Sequence, residues 1–419
     1  MNPKRLLGAA GTIGASLIFA SVLGFALLAI MARWLGPDLN GRFLTLWGAV
    51  MAFGSILSVI EQEAVRQVTH AHLKGQKAPG SLVQLAVTAF GFSLLGLAVL
   101  LCLPNGREIF ASSLLVIGVS FLAVSGFTAQ YTVRAIALGK DSPRRYALVI
   151  LVEALSRLVL AAVLAAGGAV PTLLLSALVI AVGSFGWLPV ARFAAANLDW
   201  RTGRISWAKT ARLVLILGAA NGLSAAVLTG YPALVTLVTG ASEGLGSFFG
   251  AVTLTRIPLV LLAPVQAMAV PVATRFVSAG DIAGISRVQR GILGGLFLTM
   301  LAGALATYLT GEFFYHLFLG SEYSVSALEL VALIIATVVI AGCLLQAAVL
   351  VALEEYLSVV TAWGIAVAAA VACLALVPGD AQTRALYGFA ACSFAACGAA
   401  TLLLNRATRK HGRAATSIR

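Results

Sequence analysis

Charge is scarce in this chain. Of 419 residues, 10% are Asp, Glu, Lys or Arg and 60% are apolar, where a soluble domain carries about 25% charged residues. That composition excludes an ordinary water-soluble globule. Histidine is scarcer still: there are four, and His70 and His72 stand in a basic loop without a cysteine or carboxylate array beside them, so no metal site is expected. The five cysteines, Cys102, Cys343, Cys373, Cys392 and Cys397, are odd in number and lie in or near apolar runs, which argues against a disulfide framework. No GxxxxGK[ST] loop occurs and no soluble nucleotide domain is present, so ATP hydrolysis and a resident cofactor are not expected. Runs of alternating polarity, the mark of barrel strands, are missing too. The acids outside the apolar runs lack metal spacing and a glycosyl-transfer dyad, which points away from an enzyme.

Long apolar stretches fill the rest. Segments of 18 or more such residues are long enough to cross a hydrocarbon core as helices. Twelve are expected, at 8–31, 43–65, 81–103, 111–133, 146–168, 171–191, 210–235, 246–270, 289–310, 325–350, 357–377 and 385–405. The seventh is interrupted by Gly230, Tyr231 and Pro232, and the eighth contains Arg256, Pro258 and Pro264. The first run continues to Met31 without a clear cleavage site, so it reads as a retained helix rather than a signal peptide.

Positive charge is lopsided. Of the 28 Lys and Arg, 22 fall on one side of this span pattern, from Lys4 and Arg5 to Arg419. Basic loops stay cytoplasmic, so the expectation is a multi-pass inner (plasma) membrane protein with both termini cytoplasmic. The formal charge of +13 is spread through loops and explained by topology, so nucleic acid is not an expected partner.

Two halves echo one another. Arg33–Phe43 after the first span and Gly240–Phe249 after the seventh are both short, Gly-rich turns with an acid, feeding a helix near a Phe. On this reading residues 1–195 form an N-terminal six-helix half and 196–209 a cytoplasmic linker. Residues 210–405 form the C-terminal half, and 406–419 a basic cytoplasmic tail.

Ionisable groups inside spans are expensive and therefore candidates for function. Glu153 and Arg157, four apart with the acid first, suit a same-face helix pair. Arg256 has no acid at i±3 or i±4 and stands in a proline-disturbed helix suited to bending around a cavity. With the neutral Asn221 and Gln266 they make the substrate-cavity candidates. Glu61, Glu63 and Arg66 at the end of the second span, and Arg134 at the end of the fourth, are candidates for a cytoplasmic gate. Gln130 and Tyr131 cluster with Arg134.

The segment Arg33-Trp34-Leu35-Gly36-Pro37-Asp38-Leu39-Asn40-Gly41-Arg42-Phe43 resembles the R-x-LGP-x-x-x-G-x-F turn of the polysaccharide flippases. That family belongs to the multidrug/oligosaccharidyl-lipid/polysaccharide exporter superfamily. Leu317-Phe318-Leu319-Gly320-Ser321-Glu322-Tyr323-Ser324 is similar to its LF-x-G-x-x-Y turn. The likeness in span count and length covers essentially the whole chain. It implies an all-α polytopic membrane protein, with 12 transmembrane helices in two six-helix halves around a central cavity. It also implies a transporter of polyprenyl-pyrophosphate-linked oligosaccharide from the cytoplasmic to the outer leaflet, for cell-surface polysaccharide synthesis. Membrane lipids, a glycan polymerase and other envelope-assembly proteins would be its partners, and proton or sodium coupling a source of energy. The motif residues Gly36, Pro37, Gly41, Gly320 and Tyr323 are then turn formers rather than ligands. An ion-coupled small-molecule exporter and an integral membrane glycan polymerase or transferase stay open as alternatives.

Overall fold

A computed structural model describes residues 3–200, 206–242, 244–262 and 282–416, with positions 269, 273, 274 and 276 between the last two stretches. The chain is an all-helical, polytopic membrane protein. Among the described residues, 10 helices are long and apolar enough to cross a bilayer. The first, α1 (Pro3–Leu73), holds two spans in its 71 residues; a straight helix of that length would be roughly 105 Å long, several times the hydrocarbon core. It bends at Gly36, whose φ of 71° and ψ of 172° lie where a side chain is strained and glycine is not. Pro37 then opens the second arm, since the first turn of a helix has no use for its missing N–H. Counting α1 twice and adding the shorter apolar helix Leu245–Leu259 gives the twelve spans expected.

The others follow as α2 (Ser81–Cys102), α3 (Leu114–Gly139), α4 (Pro143–Ala166), α5 (Leu173–Gly183), α6 (Ala191–Asn197), α7 (Trp207–Leu228) and α8 (Tyr231–Thr239). Ser113 and Thr172 cap α3 and α5 by accepting main-chain N–H groups, a common start signal. A two-residue parallel bridge joins β1 (Ala78–Pro79) to β2 (Leu198–Asp199). Three spans are broken where the sequence reading ran them through; the sixth, expected as 171–191, stops at Gly183 and resumes as α6. The seventh, expected as 210–235, stops at Leu228 and resumes at Tyr231. The eighth, expected as 246–270, splits into α9 (Leu245–Leu254) and α10 (Ile257–Leu261), with Thr255 and Arg256 in the break. Pro232 and Pro258, each without an N–H to donate, sit just after the latter two breaks.

Packing divides the chain into compact units at Met1–Ala241 and Ser242–Arg419. Within the first unit, α7 and α8 pack on α1 and α2. The seam is built of small residues. A Cβ on Gly48 would come within 2.7 Å of the Thr229 carbonyl oxygen, and Gly218 and Gly222 face Ile56. Thr45 and Thr236 hydroxyls lie 3.2 Å apart. At one end, Asn105 donates to the Leu237 carbonyl at 3.1 Å and Glu108 accepts the Ala241 N–H at 2.6 Å. Gly240 has φ 81° and ψ 171°, nearly the conformation of Gly36.

The second unit adds α11 (Ile282–Leu319), α12 (Ala327–Ala352), α13 (Tyr356–Leu376) and α14 (Ala381–Thr416). Gly320, at φ 111°, ends α11 and returns its N–H to the His316 carbonyl at 2.9 Å. Tyr323 is buried edge-on against Tyr315, ring centroids 6.4 Å apart. Tyr315 in turn donates to the Ser247 carbonyl at 2.9 Å. Ser326 and Glu329 form a capping box at the start of α12. Asp380, exposed in the loop before α14, takes the Thr383 N–H at 3.0 Å; hydrogen bonding from Thr383 holds its carboxyl below the usual range.

Candidate functional site

The first unit carries a buried polar network on three helices. On α3, Gln130 and Arg134 are one turn apart with Tyr131 beside them. On α4, Tyr146, Glu153 and Arg157 are spaced by seven and four residues, so all three share a face. Glu61 enters from the second arm of α1.

Its outer part is an Arg134–Glu61–Tyr146 triangle. Arg134 Nε stands 3.0 Å from Glu61 Oε2, and Arg134 Nη2 donates to the Tyr146 hydroxyl at 2.8 Å. Tyr146 donates to Glu61 Oε1 at 2.7 Å. The guanidinium also lies 5.3 Å from the Tyr131 ring centroid and 5.0 Å from that of Tyr146, within the range where a cation is drawn to an aromatic face.

The deeper part centres on Glu153. Arg157 Nη1 reaches its Oε1 at 2.9 Å, while Gln130 Nε2 donates to Oε2 at 2.6 Å. Arg157 is 6% exposed, and its guanidinium lies 5.3 Å from the Trp47 ring centroid and 5.5 Å from that of Phe127. Its Nε donates to the Ile180 carbonyl of α5 at 3.4 Å. Gly183 makes room, since a Cβ there would collide with the Arg157 side chain. Arg157 Nη2 and Gln130 Oε1 are buried and have no hydrogen-bond partner among the described residues. The Glu153 carboxylate lies within electrostatic reach of Arg134. Two carboxylates face two guanidinium groups, and the assembly is neutral when all are ionised.

The other candidates separate. Glu63 and Arg66 do not join the network. Arg66 Nε donates to Glu63 at 2.9 Å and its side chain is 75% exposed, while Gln67 ties Glu63 to Ser81 at the start of α2. Asn221 of α7 donates to Ser58 of α1 at 3.0 Å and belongs to the glycine-lined seam. Arg256 belongs to the second unit, with its guanidinium 5.8 Å from the Phe389 ring centroid and Cys392 nearby. A cavity of about 260 Å³ adjoins the same break, lined by Thr255, Ile257, Pro258, Thr310 and Phe314 among others. Gln266 lies outside the described residues. Gly36, Pro37, Gly320 and Tyr323 occupy the turns of their motifs, and Gly41 stands in the first turns after Pro37.

Sequence reasoning missed Tyr146, Trp47, Phe127 and Gly183. Tyr146 had a readable signal, two helical turns before Glu153. The other three act through tertiary packing and had none.

No family model matches the chain. It is 27% identical over 408 residues to an uncharacterized protein of Mycobacterium tuberculosis, covering 90% of this chain and 87% of that protein. It is 27% identical over 398 residues to one of Mycobacterium bovis, with the same coverage. Among solved structures, an inward-facing multidrug resistance MATE family transporter of the MOP superfamily superposes with a TM-score of 0.69 at 15% identity, covering 96% of this chain and 98% of that one. The outward-facing conformation of a MATE family transporter gives 0.60 at 12% identity, over 97% and 96%.

The fold is that of the MOP-superfamily transporters.

A MOP-type fold does not prescribe one polarity of site. A Pyrococcus furiosus transporter of the superfamily, described as having a binding pocket of reverse polarity suggesting a different function, superposes with a TM-score of 0.58 at 14% identity, over 96% of this chain and 95% of its own. In the present chain, the second unit places Arg256 at the break between the two short helices of one span. Glu329, Glu354, Glu355 and Asp380 stand at helix ends or turns, and Glu312, seven residues before the end of α11, accepts the Ala327 N–H at 3.1 Å.

Proposed function

We propose that this MOP-fold transporter moves a polyprenyl-pyrophosphate-linked oligosaccharide from the cytoplasmic to the outer leaflet of the cell membrane, with both termini cytoplasmic. The observation that carries this reading is Arg256, a guanidinium at a helix break in the interior of a span. A planar fork of donors with permanent charge suits phosphate oxygens in geometry and sign. It is ill-suited to an organic cation. The broken ladder around Pro258 frees backbone groups where irregular backbone is tolerated in a membrane, beside a cavity. The prenyl tail stays in lipid while the pyrophosphate and glycan cross, and a glycan polymerase on the outer face consumes the product.

The turn motifs support the same branch: Gly36 and Gly320 hold left-handed φ values, and Tyr323 is buried. The first-unit network supplies the moving parts, with Glu61 and Arg134 as the gate and Glu153 and Arg157 as the deeper pair. A second reading, ion-coupled export of a small molecule, draws on Glu61 and Glu153. Each already faces a guanidinium, so neither is a ready cation site.

The test is leaflet-resolved accumulation of labelled polyprenyl-linked glycan in membranes with and without the protein. Depletion should trap the glycan on the cytoplasmic side, and the wild type should release it. Arg256→Ala should slow flipping roughly ten- to a hundred-fold, the loss of charge-assisted hydrogen bonds, with Arg256→Lys between. An unchanged leaflet distribution on depletion would refute the reading and make small-molecule efflux the next assay.

A further inference from the structure

The first unit has a second concavity, away from the ionic network. It is a groove of about 410 Å³ between α2, α3 and the α6–β2 segment, lined by Val83, Phe90, Thr128, Trp187, Ala195 and Leu198 among others. Its walls are almost wholly apolar, and its volume falls within the roughly 300–1,000 Å³ of small-ligand sites. Ser125, Thr128 and Thr132 in the lining turn their hydroxyls onto carbonyls of their own helix, while Trp187 Nε1 is buried and has no hydrogen-bond partner among the described residues. A buried indole N–H ordinarily finds an acceptor.

The rim at one end is basic. Leu198, in the lining, pairs with Ala78, which places Lys77 at that end, and Lys140 donates to the Gln76 carbonyl at 2.6 Å. Arg192 is exposed beside the lining residue Ala191. Asp199, in the bridge, and Asp141, next to Lys140, are the acids at this end, so positive charge is in excess. This is also the end that the distribution of Lys and Arg assigns to the cytoplasm.

We propose that this groove binds an anionic glycerophospholipid of the inner leaflet, with an acyl chain along the apolar walls and the phosphate at Lys77, Lys140 and Arg192. The indole selects between lipid classes. Trp187 precedes α6 and lines the groove, and a glycerophospholipid brings ester carbonyls able to accept from its N–H. A polyprenyl chain is hydrocarbon below its phosphate and offers that N–H nothing. The groove is therefore a site for a bilayer lipid and not for the tail of the transported cargo. Charge at the rim adds selectivity, since basic groups near the surface attract anionic headgroups.

The test is native mass spectrometry of the purified full chain, titrated separately with phosphatidylglycerol, phosphatidylcholine and undecaprenyl phosphate. The wild type should retain phosphatidylglycerol in preference to the other two. Ala195→Phe, which fills the groove from an exposed position, should abolish retention while the thermal transition is unchanged. The pair Lys77→Gln and Arg192→Gln should weaken it roughly ten- to thirty-fold. Trp187→Phe, which keeps an aromatic ring of smaller size and removes the N–H, should weaken it roughly two- to ten-fold. Equal retention by Ala195→Phe and wild type would overturn the site, equal retention of phosphatidylcholine would overturn the headgroup, and preference for undecaprenyl phosphate would reassign the groove to cargo.

Discussion

Arg157 shows what a buried charge demands of its surroundings. It has a carboxylate at hydrogen-bonding distance, two aromatic faces, a carbonyl and a glycine that leaves it space. Removing one partner of such a pair strands the other, at a cost of about 3–5 kcal/mol, whereas removing both is often nearly neutral. Arg157→Leu and Glu153→Leu should each lower thermal stability in detergent markedly, and the double variant should recover most of the loss. A double variant as unstable as the sum of the singles would show that each residue is held by something other than its partner. Gly183→Ala should mimic Arg157→Leu in the same assay, because its Cβ displaces the guanidinium. The Glu153–Arg157 pair was legible in the sequence, since four residues on a helix is a local relation. The Glu61–Arg134 pair was not, because 73 residues separate them and no periodicity relates one span's face to another's. Glu63, whose spacing to Arg66 looked equally good, is linked through Gln67 to Ser81 instead.

The elements were mostly readable because a bilayer imposes their length. Nine of the twelve expected spans have a continuous counterpart or an arm of one; of the three that break, two do so beside residues the sequence marked, Tyr231-Pro232 and Arg256 with Pro258, while the break after Gly183 carried no such mark. What sequence did not reveal is which neighbour each element packs on: α7 and α8 pack on α1 and α2. The repeat makes its own prediction. Gly36 and Gly240 have almost the same φ and ψ, in a region that costs a residue with a side chain about 1–3 kcal/mol. Gly36→Ala and Gly240→Ala should therefore lower the melting temperature by similar amounts, while Gly11→Ala, which would meet nothing within 4 Å, should not. Unequal losses at the two turns would argue that only one of them is a structural equivalent of the motif.

For the whole molecule, transport in a MOP-type fold requires conformational change, and the first unit shows where one seam is fastened. Asn105 and Glu108 tie the turn after α2 to the end of α8. Cysteines in place of Asn105 and Leu237, bridged by a short bifunctional reagent with a cleavable disulfide, should stop glycan flipping, and reduction should restore it. Flipping that persists in the cross-linked protein would show that this end of the seam stays shut throughout the cycle. Glu108→Gln, which keeps an acceptor for the Ala241 N–H but removes its charge, should change the rate without abolishing it.

Below that fastening, the seam between the second arm of α1 and α7 has little relief. Gly48 lets a backbone carbonyl approach, and Gly218 and Gly222 meet one isoleucine. Ordinary helix contacts interlock, ridge in groove, and separating them forces side chains through new rotamers. A glycine-paved contact has few teeth. The two surfaces slide or part as smooth plates do, with the resistance concentrated in the hydrogen bonds at their ends, so this interface behaves as a bearing with a catch rather than as a gear.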